Sequence, residues 1–175
     1  FFFKQKTAYE IPKRDWSSDV CSSDLCAHRR RHKSHQPVNL RSLRGQWLLI
    51  TVADATCDDA CERKLYLSRQ IHVGLGAEQD RVERVWLSLG DQAIPERLAK
   101  LLEGATVLRT QSTALSDWLQ PQAAHQLSDH IYLVDPQGFW MMRFPPNPDL
   151  QAAASTKKTL NRLMRAAKFW DRPGR

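Results

Sequence analysis

Apolar residues along this chain change their period several times, and each change marks an element. Trp47 to Ala53 is almost continuously apolar, as expected of a strand buried on both faces. From Glu62 to Leu75 the spacing turns helical. Leu65, Arg69 and His72 share one side, Tyr66, Leu67, Ile71 and Leu75 offer apolar contact, and Gly76 is the stop. Val82 to Leu89 alternates Val85, Leu87 and Leu89 against Trp86 and Ser88, which predicts a second strand. Pro95 to Glu103 reads as a helix with proline in its first turn, Leu98, Leu101 and Leu102 inward, and Gly104 as its end. A short strand over Thr106 to Leu108 and a short helix over Ala114 to Leu119 follow.

His130 to Val134 predicts a strand, Asp135-Pro-Gln-Gly138 a tight turn, and Phe139 to Phe144 the antiparallel return. Asn147-Pro-Asp149 then opens a long amphipathic helix reaching about Trp170, with Thr156, Leu160, Leu163, Ala167 and Trp170 as its buried stripe. The order β-α-β-α-β-(α)-β-β-α, with no internal repeat, predicts an α/β layered domain: a central mixed sheet, flanking helices, and a C-terminal hairpin and helix.

Two cysteines sit where the first strand passes into the first helix, in Asp54-Ala-Thr-Cys57-Asp-Asp-Ala-Cys61-Glu62. At helical spacing their sulfurs would share one face, so the pair can close a disulfide or, as soft thiolates, hold a metal such as Cu(I). A helix N-terminus lowers a nearby thiol pKa, whereas Asp58 and Asp59 oppose a second anion there. Such a pair at the first strand-to-helix turn makes a thioredoxin-like arrangement the best fit to the element order. In an arbitrary protein two cysteines at this spacing are more often buried than reactive, and it is the turn that favours chemistry.

Composition enters once part of the chain is set aside. Residues 1–25 resemble an in-frame translation of a sequencing adapter, in the blocks Lys4-Gln-Lys-Thr-Ala-Tyr-Glu10 and Asp15-Trp-Ser-Ser-Asp-Val-Cys-Ser-Ser-Asp-Leu25. Residues 26–37 form a junction without apolar pattern, expected to be disordered. Its Arg29-Arg-Arg-His-Lys33 cluster, taken alone, is the kind of run that binds nucleic acid or a membrane surface. Of the net charge of +7, the adapter-like segment contributes zero and the junction four, which leaves +3 for the domain at 38–175. That mild excess, without basic–aromatic interleaving, does not point to nucleic acid. Of four cysteines, Cys21 lies in the adapter-like segment and Cys26 abuts it, leaving only the Cys57–Cys61 pair. Two cysteines make no disulfide scaffold, so apolar burial must hold the core. No stretch is long and apolar enough to cross a bilayer, and no Ser-His-Asp spacing, phosphate loop or His-Glu-x-x-His motif is present.

Leu43-Arg-Gly-Gln-Trp-Leu-Leu-Ile50, the Cys-x-x-x-Cys and Tyr132-Leu-Val-Asp-Pro-Gln-Gly138 resemble the Sco/SenC family of cytochrome c oxidase assembly proteins, which have a thioredoxin fold. A membrane-anchored bacterial branch is more similar still. It shares segments like Lys64 to Gln70, Asp129 to Pro136, Met141 to Pro145 and Trp170 to Arg175. The resemblance implies a domain tethered to the bacterial inner membrane and facing the periplasm, with a cytochrome oxidase subunit or another assembly factor as partner. It also implies a Cys57–Cys61 dithiol that exchanges disulfides or handles Cu(I), with one distant histidine as third ligand.

The family places that histidine eleven positions before the hairpin glycine, which here is Leu127; the candidate ligand, His130, lies three positions on. His72, about 16 Å along the helix from Cys61, is too far to serve. No proline directly precedes the His130 strand, where thioredoxins carry a cis-proline beside the disulfide; the nearest is Pro121. Whether the protein is an enzyme stays open at this point. The alternatives to an exchanging dithiol are an interaction module with a static disulfide and an exposed Trp/Met surface, and a general thiol–disulfide reductase. Arg63, Lys64, Arg69, Asp80 and Glu83 read as solvated faces, and Trp140, Met141 and Met142 as strand core or partner contact rather than a methionine copper site.

Overall fold

The computed structural model describes residues 27–28, 37–38, 40–110 and 112–168, so residues 1–25 and the helix end at Trp170 lie outside the described residues. Within the junction, β1 (Ala27–His28) pairs antiparallel with β2 (Pro37–Val38), and the residues between them also lie outside.

Five strands build the central sheet: β3 (Trp47–Asp54), β4 (Val82–Leu89), β5 (Ala105–Thr110), β6 (Ile131–Val134) and β7 (Trp140–Arg143). Their order is β5-β4-β3-β6-β7. β3, β4 and β5 run parallel, whereas β6 pairs antiparallel with β3 and β7 antiparallel with β6. The fold is thus the expected α/β thioredoxin-like arrangement, a mixed sheet with flanking helices. Side chains alternate across the pleat, so the two faces of β3 feed different cores. Leu48, Ile50 and Val52 join Val85, Leu87 and Leu108 on one face, with Leu115, Trp118 and Leu119 packed over them. Trp47 and Leu49 join Leu67, Ile71, Leu160 and Met164 on the other, beneath α1 (Asp59–Val73) and α4 (Leu150–Ala166).

Sequence and structure agree on β4 residue for residue, and both of its alternating sides are covered. Trp86 and Ser88 are buried, because helices cover both faces of a parallel sheet. The helix expected over Pro95 to Glu103 is instead a 3-10 turn, Glu96–Leu98, followed by α2 (Ala99–Leu102). Arg84 from β4 draws in the carbonyls of Leu101 and Glu103, and Gly104, at φ +70°, turns the chain into β5. The short helix α3 (Ser112–Ser116) begins two residues before the expected Ala114. α1 ends at Gly74 rather than Gly76, and Tyr66, expected to make apolar contact, is exposed.

The hairpin forms as its residues predict. The Asp135 carboxylate accepts from the N–H groups of Gln137 and Phe139 at 2.9 and 2.8 Å, and Gly138 takes φ +101°. Asp149 caps α4 by accepting from the N–H of Ala152 at 2.7 Å. Thr156, Leu160 and Ala167 are buried as the stripe requires; Leu163 is only partly buried, and Met164 takes the deeper place.

Candidate redox site

The strand β3 delivers the chain to a tight turn in which the N–H of Cys57 donates to the carbonyl of Asp54 at 3.1 Å. Cys57 itself takes the left-handed conformation, φ +47°, unusual for a residue with a Cβ. Asp58 then caps α1, its carboxylate accepting from the N–H of Cys61 at 2.8 Å. Cys57 and Cys61 form a disulfide with their Cα atoms 5.2 Å apart. Of the two cysteines only Cys61 lies in the first turn of α1; Cys57 precedes the cap, and its left-handed backbone accompanies the closed bridge.

The disulfide is covered. Cys57 and Cys61 are 2% and 4% exposed and share an apolar cluster with Ala53, Leu65, Trp86, Leu98 and Val107, flanked by Ile94, Leu101 and Leu102. One side chain ties the covering segment to the turn. Arg97 donates through Nη2 to the carbonyls of Thr56 and Cys57 at 2.9 and 2.8 Å, and its Nη1 lies 3.0 Å from the Glu62 carboxylate. Nothing in the sequence singles out Arg97, since Pro95-Glu-Arg97 reads as an ordinary helix start with an exposed charge.

Lys64 is the second residue that the sequence reading misplaced. Far from lying on a solvated face, it is 5% exposed and donates to the carbonyl of Ser128. Burial lowers its pKa, with Asp129 and Asp58 acting in the other direction. A signal for this existed: Cys61, Lys64, Leu65 and Ser68 fall at helical spacing on one face. Glu83 is buried as well and accepts from the Thr106 hydroxyl, and Arg69 pairs with Glu103 at 3.2 Å. Beside the turn that carries the disulfide, Asp59, Ala60, Arg63, Lys64, Asn147 and Pro148 line an open cleft of about 270 Å³.

His130 directly precedes β6, and the β3–β6 register continued by one residue sets it beside Val52, at the sheet end that carries the disulfide. It is completely buried. The N–H of Gln122 donates to its Nε2 at 3.2 Å, so that nitrogen is an acceptor, and Nδ1 carries the proton it donates to the carbonyl of Phe144 at 2.8 Å. Burial, above all, lowers its pKa, and the ring is neutral with both nitrogens engaged. Among the described residues no three His, Cys, Asp or Glu side chains come together as a metal-binding group, so the structure brings Cys57 and Cys61 together and leaves His130 outside that pair. His72 is likewise engaged, its Nε2 near the carbonyls of Gln79 and Val82 at 3.0 and 2.8 Å. Trp140 and Met142 pack against the two cores while Met141 stays exposed, as strand positions do.

A family model described as transmembrane-like, thioredoxin-like, C-terminal domain matches residues 47–167. The chain belongs to that family. No curated protein matches it. Solved structures share its fold at low identity. Yeast Sco1 with copper bound is 13% identical at a TM-score of 0.60, over 82% of this chain and 87% of that one. A SCO1/SenC family lipoprotein from Bacillus anthracis is 16% identical at 0.55, over 80% and 94%. The thioredoxin domain of a thiol-disulfide oxidoreductase from Bacteroides vulgatus is 17% identical at 0.50, over 78% and 93%. Among the described residues no helix is long and apolar enough to cross a membrane.

Proposed function

We propose that this domain is a Sco-like assembly factor whose Cys57–Cys61 pair cycles between disulfide and dithiol, serving cytochrome c oxidase maturation at the periplasmic face of a bacterial inner membrane. The observation that carries the reading is the disulfide at the β3-to-α1 turn of a thioredoxin-like fold. A thiolate of the partner attacks one sulfur, forms a mixed disulfide and releases the other cysteine as thiolate. The partner's second thiol then displaces the first cysteine, so two electrons pass to the pair and the partner leaves as a disulfide. The N-terminus of α1 favours the thiolate at Cys61, and Asp58 and Asp59 oppose it. The open cleft beside the turn offers a partner an approach along α1.

Copper belongs to the proposal as cargo of the reduced pair. Two thiolates are the soft donors that suit Cu(I). His130 does not fit as a third donor as it stands, because Gln122 and Phe144 occupy its two nitrogens, and no step is drawn through it. Titration of the reduced domain with Cu(I) under a competing chelator tests the cargo role. The role requires binding tighter than that of the Cys57→Ser, Cys61→Ser variant.

Exchange itself is tested by the equilibrium potential of the pair in glutathione buffers. Values above about −300 mV are expected of an exchanging bridge, and a lower value would mark the static bridge of an interaction module. The exposed Met141 favours such a module. A general reductase would turn over small disulfide substrates. No proline directly precedes the His130 strand, where thioredoxins carry one beside the disulfide.

A further inference from the structure

The disulfide is sealed by a segment with two differently held halves. Its second half is anchored, because Arg84 holds the carbonyls of Leu101 and Glu103. Its first half, Gln92 to Leu98, has little regular structure, starts after Gly90 at φ +77° and rests on the redox turn through Leu98, Ile94 and Arg97. The guanidinium of Arg97 spans the carbonyls of Thr56 and Cys57 and the carboxylate of Glu62, a three-point contact that a planar fork suits and an ammonium does not.

We propose that Arg97 is a positioning residue that latches the Gln92–Leu98 strap over the Cys57–Cys61 disulfide, so that a dithiol partner reacts only with a strap-open form. The proposal rests on the exchange reading. An attacking thiolate must approach one sulfur along the S–S axis, and with both cysteines nearly inaccessible that line is closed in the latched state. Opening lifts Ile94 and Leu98 from the cluster and breaks the contacts of Arg97, while the anchored second half keeps the core intact. The observed rate is then the intrinsic exchange rate scaled by the open fraction.

The test is reduction of the oxidised full chain by dithiothreitol, quenched by alkylation, over a wide range of reductant concentration. For the native protein the rate should level off at high dithiothreitol, where strap opening becomes limiting. Arg97→Ala removes charge-assisted bonds at a half-exposed site and should raise the rate at low reductant about tenfold and shift the plateau upward. Arg97→Lys keeps the charge but not the fork and should recover little of the native protection. Glu62→Gln leaves both carbonyl bonds in place and should give a smaller rise, which keeps the test open if Arg97→Ala does not fold. A residue that merely stabilises the fold would shift the thermal midpoint and leave these rates alone. One common rate, linear in dithiothreitol for all four proteins, overturns the latch. Failure of every form to be reduced overturns the exchange reading beneath it.

Discussion

Reducing the Cys57–Cys61 disulfide should weaken the fold only slightly. The bridge closes a loop running from Cys57 to Cys61, and in the chain-entropy account so short a loop contributes about 2 kcal/mol of stability. Against this stands Cys57, held at φ +47°, where a residue with a Cβ gives up roughly 1 kcal/mol that the open dithiol can recover. The freed thiols stay among apolar side chains, where they behave as small hydrophobes and leave no strongly polar group unpaired. The net loss is about 1 kcal/mol. With a urea m value of about 2 kcal/mol/M, the unfolding midpoint should fall by about 0.5 M between the oxidised protein and the protein in phosphine reductant. By linkage the same figure places the folded pair's potential about 20 mV below that of the unfolded chain, a bias small enough to permit exchange in both directions. The assay is equilibrium urea unfolding by far-ultraviolet circular dichroism in both redox states. A loss above about 3 kcal/mol, or unfolding on reduction alone, would refute the reasoning and make the bridge a structural staple.

Three further outcomes follow from the same contacts. Burial lowers the pKa of His130 below its ordinary 6.5 and that of His72 in the same direction, so above that pH neither ring affects stability. Below it, the unfolded chain takes up protons that the folded one resists, so the unfolding free energy should fall between pH 7 and 5, by up to roughly 1.4 kcal/mol per pH unit for each ring. His130→Asn keeps a donor for the carbonyl of Phe144 and should flatten that slope; stability that rises on acidification would contradict the assignment. Asp58→Ala, which removes the α1 cap, should cost about 1 kcal/mol in thermal or urea unfolding, and Asp58→Asn clearly less. Leu160→Ala, at a fully buried position between α4 and the sheet, should cost roughly 2 to 5 kcal/mol, and a loss under 1 kcal/mol would mean that α4 is not packed as described.

Legibility varied with the range of the interaction. β4 was readable because its apolar residues lie within the chain segment they define, and the hairpin because Asp135 and Gly138 satisfy a local backbone demand. Lys64 was misread because its partner, the carbonyl of Ser128, lies in a segment distant along the chain. The solvated-face reading of Glu83 failed for a similar reason, since its partner Thr106 is on the neighbouring strand. The early end of α2 goes with Arg84, which holds the carbonyls of Leu101 and Glu103 from β4, and no periodicity in Pro95 to Glu103 encodes that.

What the sequence determined by itself is the α/β order and the placement of a cysteine pair at the first strand-to-helix turn of a thioredoxin-like arrangement. These rest on periodicity and spacing, which act over a few residues. Tertiary structure decided the accessibility of that pair and the availability of its neighbours. It folded the Gln92–Leu98 strap over the sulfurs, with Arg97 as the tie, and it used both nitrogens of His130 as internal hydrogen-bond partners. The physical reason is desolvation. A buried charge or ring must find its partners wherever the fold brings them, and those partners stand in segments far away along the chain.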